Sequence, residues 1–325
     1  VCGRNSDNSR LRQTFGLGAF YIARRRPDRY LPMDGKMSYA TRDASPTFTL
    51  LAAPTKSRAN VLGVGVHAID LPRAVSIIES AVREGTKGYV CPTGVHGVME
   101  AHRDPELRDI LNHALLVTPD GMPTVWVGRM QGNSTMKRVF GPDLMLEVCR
   151  RSAGTGIRHF LYGGNPGIAA ELADWLRCRF PGIAVVGTFT PPFRPLEPSE
   201  QLALERQMNA ALPDVVWVGL SCPKQEKFMA ANFRRLPCKI MVGVGAAFDI
   251  HTGHVKDAPK WIKDTGLQWA HRLWQEPGRL WKRYLVNNSA FLAALSLQLT
   301  GLRRYTLPPD PAGIPSTETS IRRKP

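Results

Sequence analysis

The chain has 325 residues, 43% of them apolar, which allows a sizeable core and excludes wholesale disorder, collagen and a disulfide-knotted mini-protein. Its 43 basic and 27 acidic side chains leave a net charge of +16, but the charge is uneven: residues 1–58 hold 11 basic and 4 acidic groups, 256–325 hold 12 and 5, and 59–255 hold 20 and 18. A near-neutral body with basic ends argues against a nucleic-acid-binding domain, which gathers charge on a folded face, and fits docking to an anionic lipid surface, with tails that only raise solubility as the plainer alternative.

Residues 1–58 are rich in Arg, Ser, Pro and Asp without a sustained period, and they read as a flexible, disordered leader. The body then alternates. Apolar runs at 61–66, 88–92, 115–118, 159–162, 184–187, 215–219 and 240–244 predict buried strands. Between them, 71–84, 122–130, 143–152, 166–180, 199–212 and 223–236 carry helical spacing; in the first, Ala74, Ile77, Ile78 and Ala81 share one face. Such alternation over 59–255 predicts an α/β domain, a mostly parallel Rossmann-like sheet with helices on both faces. Ligands of such sheets bind beyond the carboxyl ends of the strands.

From residue 256 the pattern changes. Trp261, Trp269, Trp274, Trp281 and Tyr284 mix with Arg272, Arg279, Lys282 and Arg283. The apolar stretch 289–302 is too short to span a bilayer. We read 256–302 as a helical, membrane-associating appendage lying in the interface, or else packed on the body, and 303–325 as a disordered tail. The chain carries neither an apolar run of about 18 residues nor a signal-peptide core in its first residues. Its six cysteines form no CxxC pair and no Cys/His cluster with zinc spacing, so they read as reduced thiols of a cytoplasmic protein, with no metal.

Four constructions carry chemistry, three at the end of a predicted strand and one at the start of a predicted helix. In Thr118-Pro119-Asp120-Gly121 the proline keeps the strand extended and the glycine allows a turn, presenting Asp120 as a general base or as an ordinary helix cap. Arg138 precedes Gly141-Pro142-Asp143, a helix start suited to phosphate, although Arg138 can equally pair with Asp143. Gly163-Gly164-Asn165-Pro166 is a glycine turn into a helix that Asn165 would cap, and it lets a diphosphate approach the backbone. Pro223 opens a helix whose first turn holds Lys224, Gln225 and Glu226; Lys224 adds positive charge and Gln225 can bond a sugar hydroxyl. Together they suggest a diphosphate-bearing substrate held by cations and helix dipoles. Gly243-Val244-Gly245-Ala246-Ala247-Phe248 imitates a dinucleotide fingerprint, but Phe248 takes the third glycine's place, which argues against a nicotinamide cofactor.

The motifs CPTGVHGVMEA, RDPELRDIL, TPDGMPTVW, RVFGPDLM, FLYGG, PPFRPL, VGLSCPKQE, GVGAAFDIHTG and LQWAHRLWQEPGRLWKRYLVNN follow one another over about 60–300. In that order the chain resembles the WecG/TagA/CpsF glycosyltransferases. The resemblance implies an inverting transferase that moves a sugar from a nucleotide-sugar donor, usually UDP-linked, to a polyprenyl-diphosphate-linked saccharide. Such enzymes build exopolysaccharide, teichoic acid or common antigen at the inner face of the bacterial plasma membrane. It implies no metal or other cofactor and no nucleic acid, and leaves a homo-oligomer open. By motif, Asp120 matches the proposed base, Thr93 a residue near the donor, Arg138 a diphosphate contact and Gln225 a residue near the reacting sugar. Arg272, Arg279 and Arg283 match appendage arginines that close over the site and help hold the membrane. Val95 and Asp257 depart from the family, where many members carry Asn and Arg, respectively. The readings from other classes are a nucleotide-binding oxidoreductase and a non-catalytic membrane-surface binding protein.

Overall fold

The computed structural model describes residues 58–259, 261–262, 265–275 and 277–310, with 268, 272, 279, 280 and 283 described as backbone alone. The predicted leader up to residue 57 and the predicted tail beyond 310 lie outside the described residues.

The chain enters through a two-stranded antiparallel hairpin, β1 (Arg58–Val61) and β2 (Val64–His67). The single strand expected at 61–66 is therefore two. Leu62 and Gly63, with φ of 52° and 87°, turn the chain inside the run; Leu62 takes the left-handed region, uncommon for a side-chain-bearing residue, and its side chain is wholly buried. The body follows in order: α1 (Leu71–Glu84), β3 (Gly88–Thr93), α2 (Val95–Arg103), α3 (Pro105–Asn112), β4 (Leu116–Pro119), α4 (Met122–Met130), α5 (Gly141–Ser152), β5 (Arg158–Gly163), α6 (Ile168–Arg179), β6 (Ala184–Phe189), α7 (Pro198–Ala211), β7 (Val215–Gly219), α8 (Lys224–Asn232), β8 (Ile240–Gly243) and α9 (Ala247–His251).

Strands β3 to β8 form one six-stranded parallel sheet in the order β4-β3-β8-β7-β5-β6. The strand alternation sorts the core into two layers. Tyr89, Cys91, Val117, Phe160, Tyr162, Val216, Val218 and Met241 meet α2, α3, α7, α8 and the hairpin. Val90, Leu116, Leu161, Val215, Trp217, Ile240 and Val242 meet α1, α5, α6 and α9 on the other face. Both faces being covered, the strands need apolar side chains at every position, which is why they read as unbroken runs. Full burial of each large apolar side chain stabilises the fold by roughly 1.5–3 kcal/mol.

Two terminal helices, Gln268–Gln275 and Pro277–Leu299, complete the fold. The second is longer than the apolar stretch at 289–302 suggested. Phe291, Ala294 and Leu295 sink into the first core layer, while Trp281, Leu285, Val286 and Leu292 stay exposed. Gln298 accepts from Leu62 N–H (3.0 Å) and donates to Asn60 O (2.8 Å), tying the helix end to the hairpin. Residues 303–310 differ from the expected disordered tail. They lie along the body: Asn60 Nδ2 donates to Tyr305 O (2.7 Å), Arg58 bonds Pro308 O, and Asp310 pairs with His67 at 3.6 Å. Among the described residues no helix is long and apolar enough to cross a membrane.

Candidate active site

Strand order sets where a crevice opens. From β5 the chain passes outward to β6, whereas from β7 it returns inward to β8. The carboxyl ends of β5 and β7 are therefore a switch point, where the outgoing segments part. Gly163 and Gly219 face each other there in register, and Gly164 N–H donates to Gly219 O at 3.0 Å. Gly163 and Gly164 have φ of +126° and +75°. The ring of Phe248, wholly buried, fills the space behind Gly164 and Gly219. The would-be dinucleotide fingerprint thus uses its third position to pack under the turn.

A cleft of about 1640 Å³ runs along this carboxyl edge. Its wall includes Gly94, Asp120, Arg138, Gly164, Lys224, Gln225 and Glu226. The constructions separated by up to 106 positions in the sequence thus meet on one surface.

Asp120 follows β4 directly, and its N–H donates to Thr93 O at the end of β3 (3.2 Å). The cap of α4 is Gly121, without a side-chain cap bond, so Asp120 is not the capping residue that the sequence allowed. Val139 N–H donates to Pro119 O (2.8 Å), which brings the Arg138 segment beside β4. Arg138 Nη2 lies 3.4 Å from Asp143 Oδ2, and its guanidinium stands 5.0 Å from the Phe140 ring centroid. Phe140 caps α5, with Pro142 in the first turn. Asn165 does not cap α6, as the sequence suggested: Gly167, with φ 88°, takes that place, because the glycine turn needs two more residues to reach the helix axis. Pro223 is the cap of α8 rather than its first residue.

Gln225 and Glu226 are almost entirely buried. Gln225 Oε1 accepts from Gly245 N–H (3.1 Å), and its Nε2 donates to Glu226 Oε1 (2.9 Å). Burial pushes the Glu226 carboxyl up from the usual range, opposed by hydrogen bonds from Gln225, its own backbone and Cys222. Thr93 departs from the expectation. It is buried, its hydroxyl donates back to Cys91 O (3.0 Å), and it does not line the cleft, whereas its neighbours Pro92 and Gly94 do. Arg272 and Arg279 belong to the two terminal helices, as does Arg283, but their side chains lie outside the described residues. Among the described residues no group of three or more His, Cys, Asp or Glu is placed to hold a metal.

Some wall residues escaped the sequence reading. His96 of α2, together with Asn287, Asn288 and Ser289 of the last helix, lines the cleft. Asn287 contacts His96 Nδ1 (3.1 Å) and accepts from Arg103 Nη2 (2.8 Å). Phe193 and Arg194, from the loop after β6, also line it; Arg194 is held by both oxygens of Glu200 (2.8 and 2.9 Å), and Phe193 is 85% exposed. Three prolines around Phe193 and Arg194 were the available signal of a stiff, presented loop.

Comparison with known proteins decides the family. The model of the WecG/TagA/CpsF family of glycosyl transferases matches residues 59–305. The chain belongs to that family. As a WecG/TagA/CpsF protein it is a glycosyltransferase, which removes the oxidoreductase and the non-catalytic readings. Among its relatives is an N-acetylglucosaminyldiphosphoundecaprenol N-acetyl-beta-D-mannosaminyltransferase of Bacillus spizizenii, 30% identical over 217 residues, covering 66% of this chain and 82% of the relative. A protein of the same description from Bacillus subtilis is 31% identical over 186 residues, 57% of this chain and 70% of the relative.

Proposed function

We propose that this glycosyltransferase moves an N-acetylated hexosamine from a UDP-sugar to a saccharide carried on polyprenyl diphosphate, with inversion at the anomeric carbon. The acceptor class and the acetamido sugar are what the relatives' descriptions name. The observation that carries the chemistry is that Asp120, Arg138 and the Gly164 turn share one cleft wall.

In this reading the Asp120 carboxylate takes the proton of the acceptor hydroxyl as its oxygen attacks the anomeric carbon from the face opposite the leaving group. The bond from that carbon to the diphosphate oxygen breaks, and its electron pair leaves on UDP. Arg138, Lys224 and the N-termini of α5 and α8 meet the charge that grows there. The cations and dipoles of the chain take the part that a metal plays elsewhere. The exposed Trp274, Trp281 and Leu285, beside Lys282, would hold the protein against an anionic leaflet that carries the acceptor, on the inner face of the plasma membrane.

The test is transfer from UDP-N-acetylhexosamines to a short-chain polyprenyl-diphosphate N-acetylglucosamine, with and without a chelator. Transfer with inverted product and no chelator effect is expected. Asp120→Asn is expected to bind UDP normally and to lose at least about a hundredfold in kcat, the low end for a lost general base. Near-normal turnover in that variant removes Asp120 from the mechanism. Absence of transfer from any UDP-sugar by the unmodified protein sinks the reading itself.

A further inference from the structure

Glu226 is 2% exposed in the first turn of α8, among apolar side chains and the two thiols of Cys91 and Cys222. Burying a carboxyl costs free energy unless its oxygens are bonded. One oxygen, Oε1, receives the Gln225 amide at 2.9 Å. The other end of that amide is occupied too, by Gly245 N–H at 3.1 Å. Gly243 closes the third side: a Cβ there would lie 3.0 Å from both Cδ and Nε2 of Gln225.

The chain of bonds gives the amide a direction. Turning Gln225 over would set its NH₂ against Gly245 N–H, two donors facing each other, and its oxygen against the Glu226 carboxyl. We propose that Glu226 is a positioning residue: it locks the Gln225 amide so that Gly245 N–H takes one lone pair of its oxygen, Glu226 takes one N–H, and the second N–H is held as a donor towards the cleft. Gln225 then offers the ligand an N–H of fixed direction, suited to an oxygen that accepts. Resting on the proposed function, the strongest acceptors of that kind beside the reacting carbon of the donor substrate are the oxygens of the diphosphate and the carbonyl of the acetamido group.

Kinetics and spectroscopy test this on the full chain. Glu226→Ala is expected to lower kcat about tenfold or more, the scale of one net hydrogen bond, while Glu226→Gln, which still offers an amide oxygen to Gln225, stays within about threefold. The double variant of Glu226→Ala with Gln225→Ala is expected to be no worse than Gln225→Ala alone, because Glu226 acts through Gln225. The side-chain NH₂ signals of Gln225 in ¹⁵N-labelled protein, identified by their loss in Gln225→Ala, should exchange slowly with solvent, at least tenfold faster in Glu226→Ala, and slowly again in Glu226→Gln. If Glu226→Ala fails to fold, Glu226→Asp, which draws the acceptor back by one methylene, replaces it with the same expectations.

Calorimetry then separates the two oxygens. Weakened binding of UDP in Glu226→Ala, with uridine unchanged, points to the diphosphate; weakened binding of UDP-N-acetylhexosamine, with UDP and UDP-hexose unchanged, points to the acetamido carbonyl. Unchanged affinity for UDP and both UDP-sugars, unchanged amide exchange, or losses that add in full with Gln225→Ala overturn the proposal. The exchange measurement needs no turnover, so it stands or falls independently of the transfer reaction.

Discussion

A Cβ at Gly163 would overlap the carbonyl oxygen of Gly219, and its φ of +126° is one that side-chain-bearing residues rarely adopt. Both facts come from the same event: β5 and β7 part company there, and the backbone of one must pass the other at closest approach. Gly163→Ala is therefore expected to destabilise the fold by at least about 1–3 kcal/mol, the cost of a forced unfavourable backbone conformation, and to weaken UDP binding by displacing the Gly164 turn. Denaturant unfolding and calorimetry read the two effects. Alanine at Gly154, whose positive φ meets open space, is the control that separates backbone strain from collision. The chemistry-bearing residues were legible at this scale because their neighbours punctuate the chain: Pro119 and Gly121 flank Asp120, and Pro223 precedes Lys224 and Gln225. Thr93 was not, because nothing local told that its hydroxyl turns back to Cys91 O.

Where β5, β7 and α5 meet, His159 is wholly buried. The Trp217 indole N–H donates to its Nδ1 (3.1 Å), so the ring proton sits on Nε2 and faces Ser152 Oγ (2.7 Å), whose hydroxyl donates to Cys149 O (3.1 Å). Burial lowers the His159 pKa to about 4, against a small opposing pull from Asp214. The folded state thus resists a proton that the unfolded chain accepts below about pH 6.5. Stability is full above that pH and falls as pH drops toward 4, by up to about 3 kcal/mol from this group. Denaturant unfolding at pH 7, 5.5 and 4.5 should show the decline, and His159→Gln should flatten it. Elements with doubly buried strands were readable as apolar runs for the reason given by their two core layers. The α2–α3 pair was not, since His96, His102, Arg103 and Asp104 break the apolar pattern. One signal was there: Asp104 before Pro105, a cap before a first-turn proline, and Asp104 does accept from Glu106 and Leu107 N–H. The hairpin was missed because its turn holds a buried leucine instead of the usual polar pair.

For the molecule as a whole, the sequence left the appendage either in the membrane interface or packed on the body, and its last helix does pack on the body. Phe291, Ala294 and Leu295 belong to the core, so removing the last helix strips the body as well as the surface. Substitution is the cleaner test of membrane docking. Replacing the exposed Trp274, Trp281 and Leu285 together by Glu should leave the melting temperature within a few degrees while releasing the protein from vesicles containing anionic lipid. Unchanged co-sedimentation with those vesicles would reject the docking surface. The pairing of distant segments, such as Asn287 with α2 or Gln298 with the hairpin, left no local trace in the sequence, because either partner would be an unremarkable polar residue on its own.

Asn287 touches His96 and Arg103 and lies on the same helix as the exposed Trp281, less than two turns away. Trp281 and Asn287 thus belong to one continuous helix, without a loop between the exposed tryptophan and the cleft wall. Under the proposed docking, lipid composition or curvature that shifts Trp281 would reach the cleft wall at Asn287 along that helix, and so would tie where the enzyme rests to how readily it works.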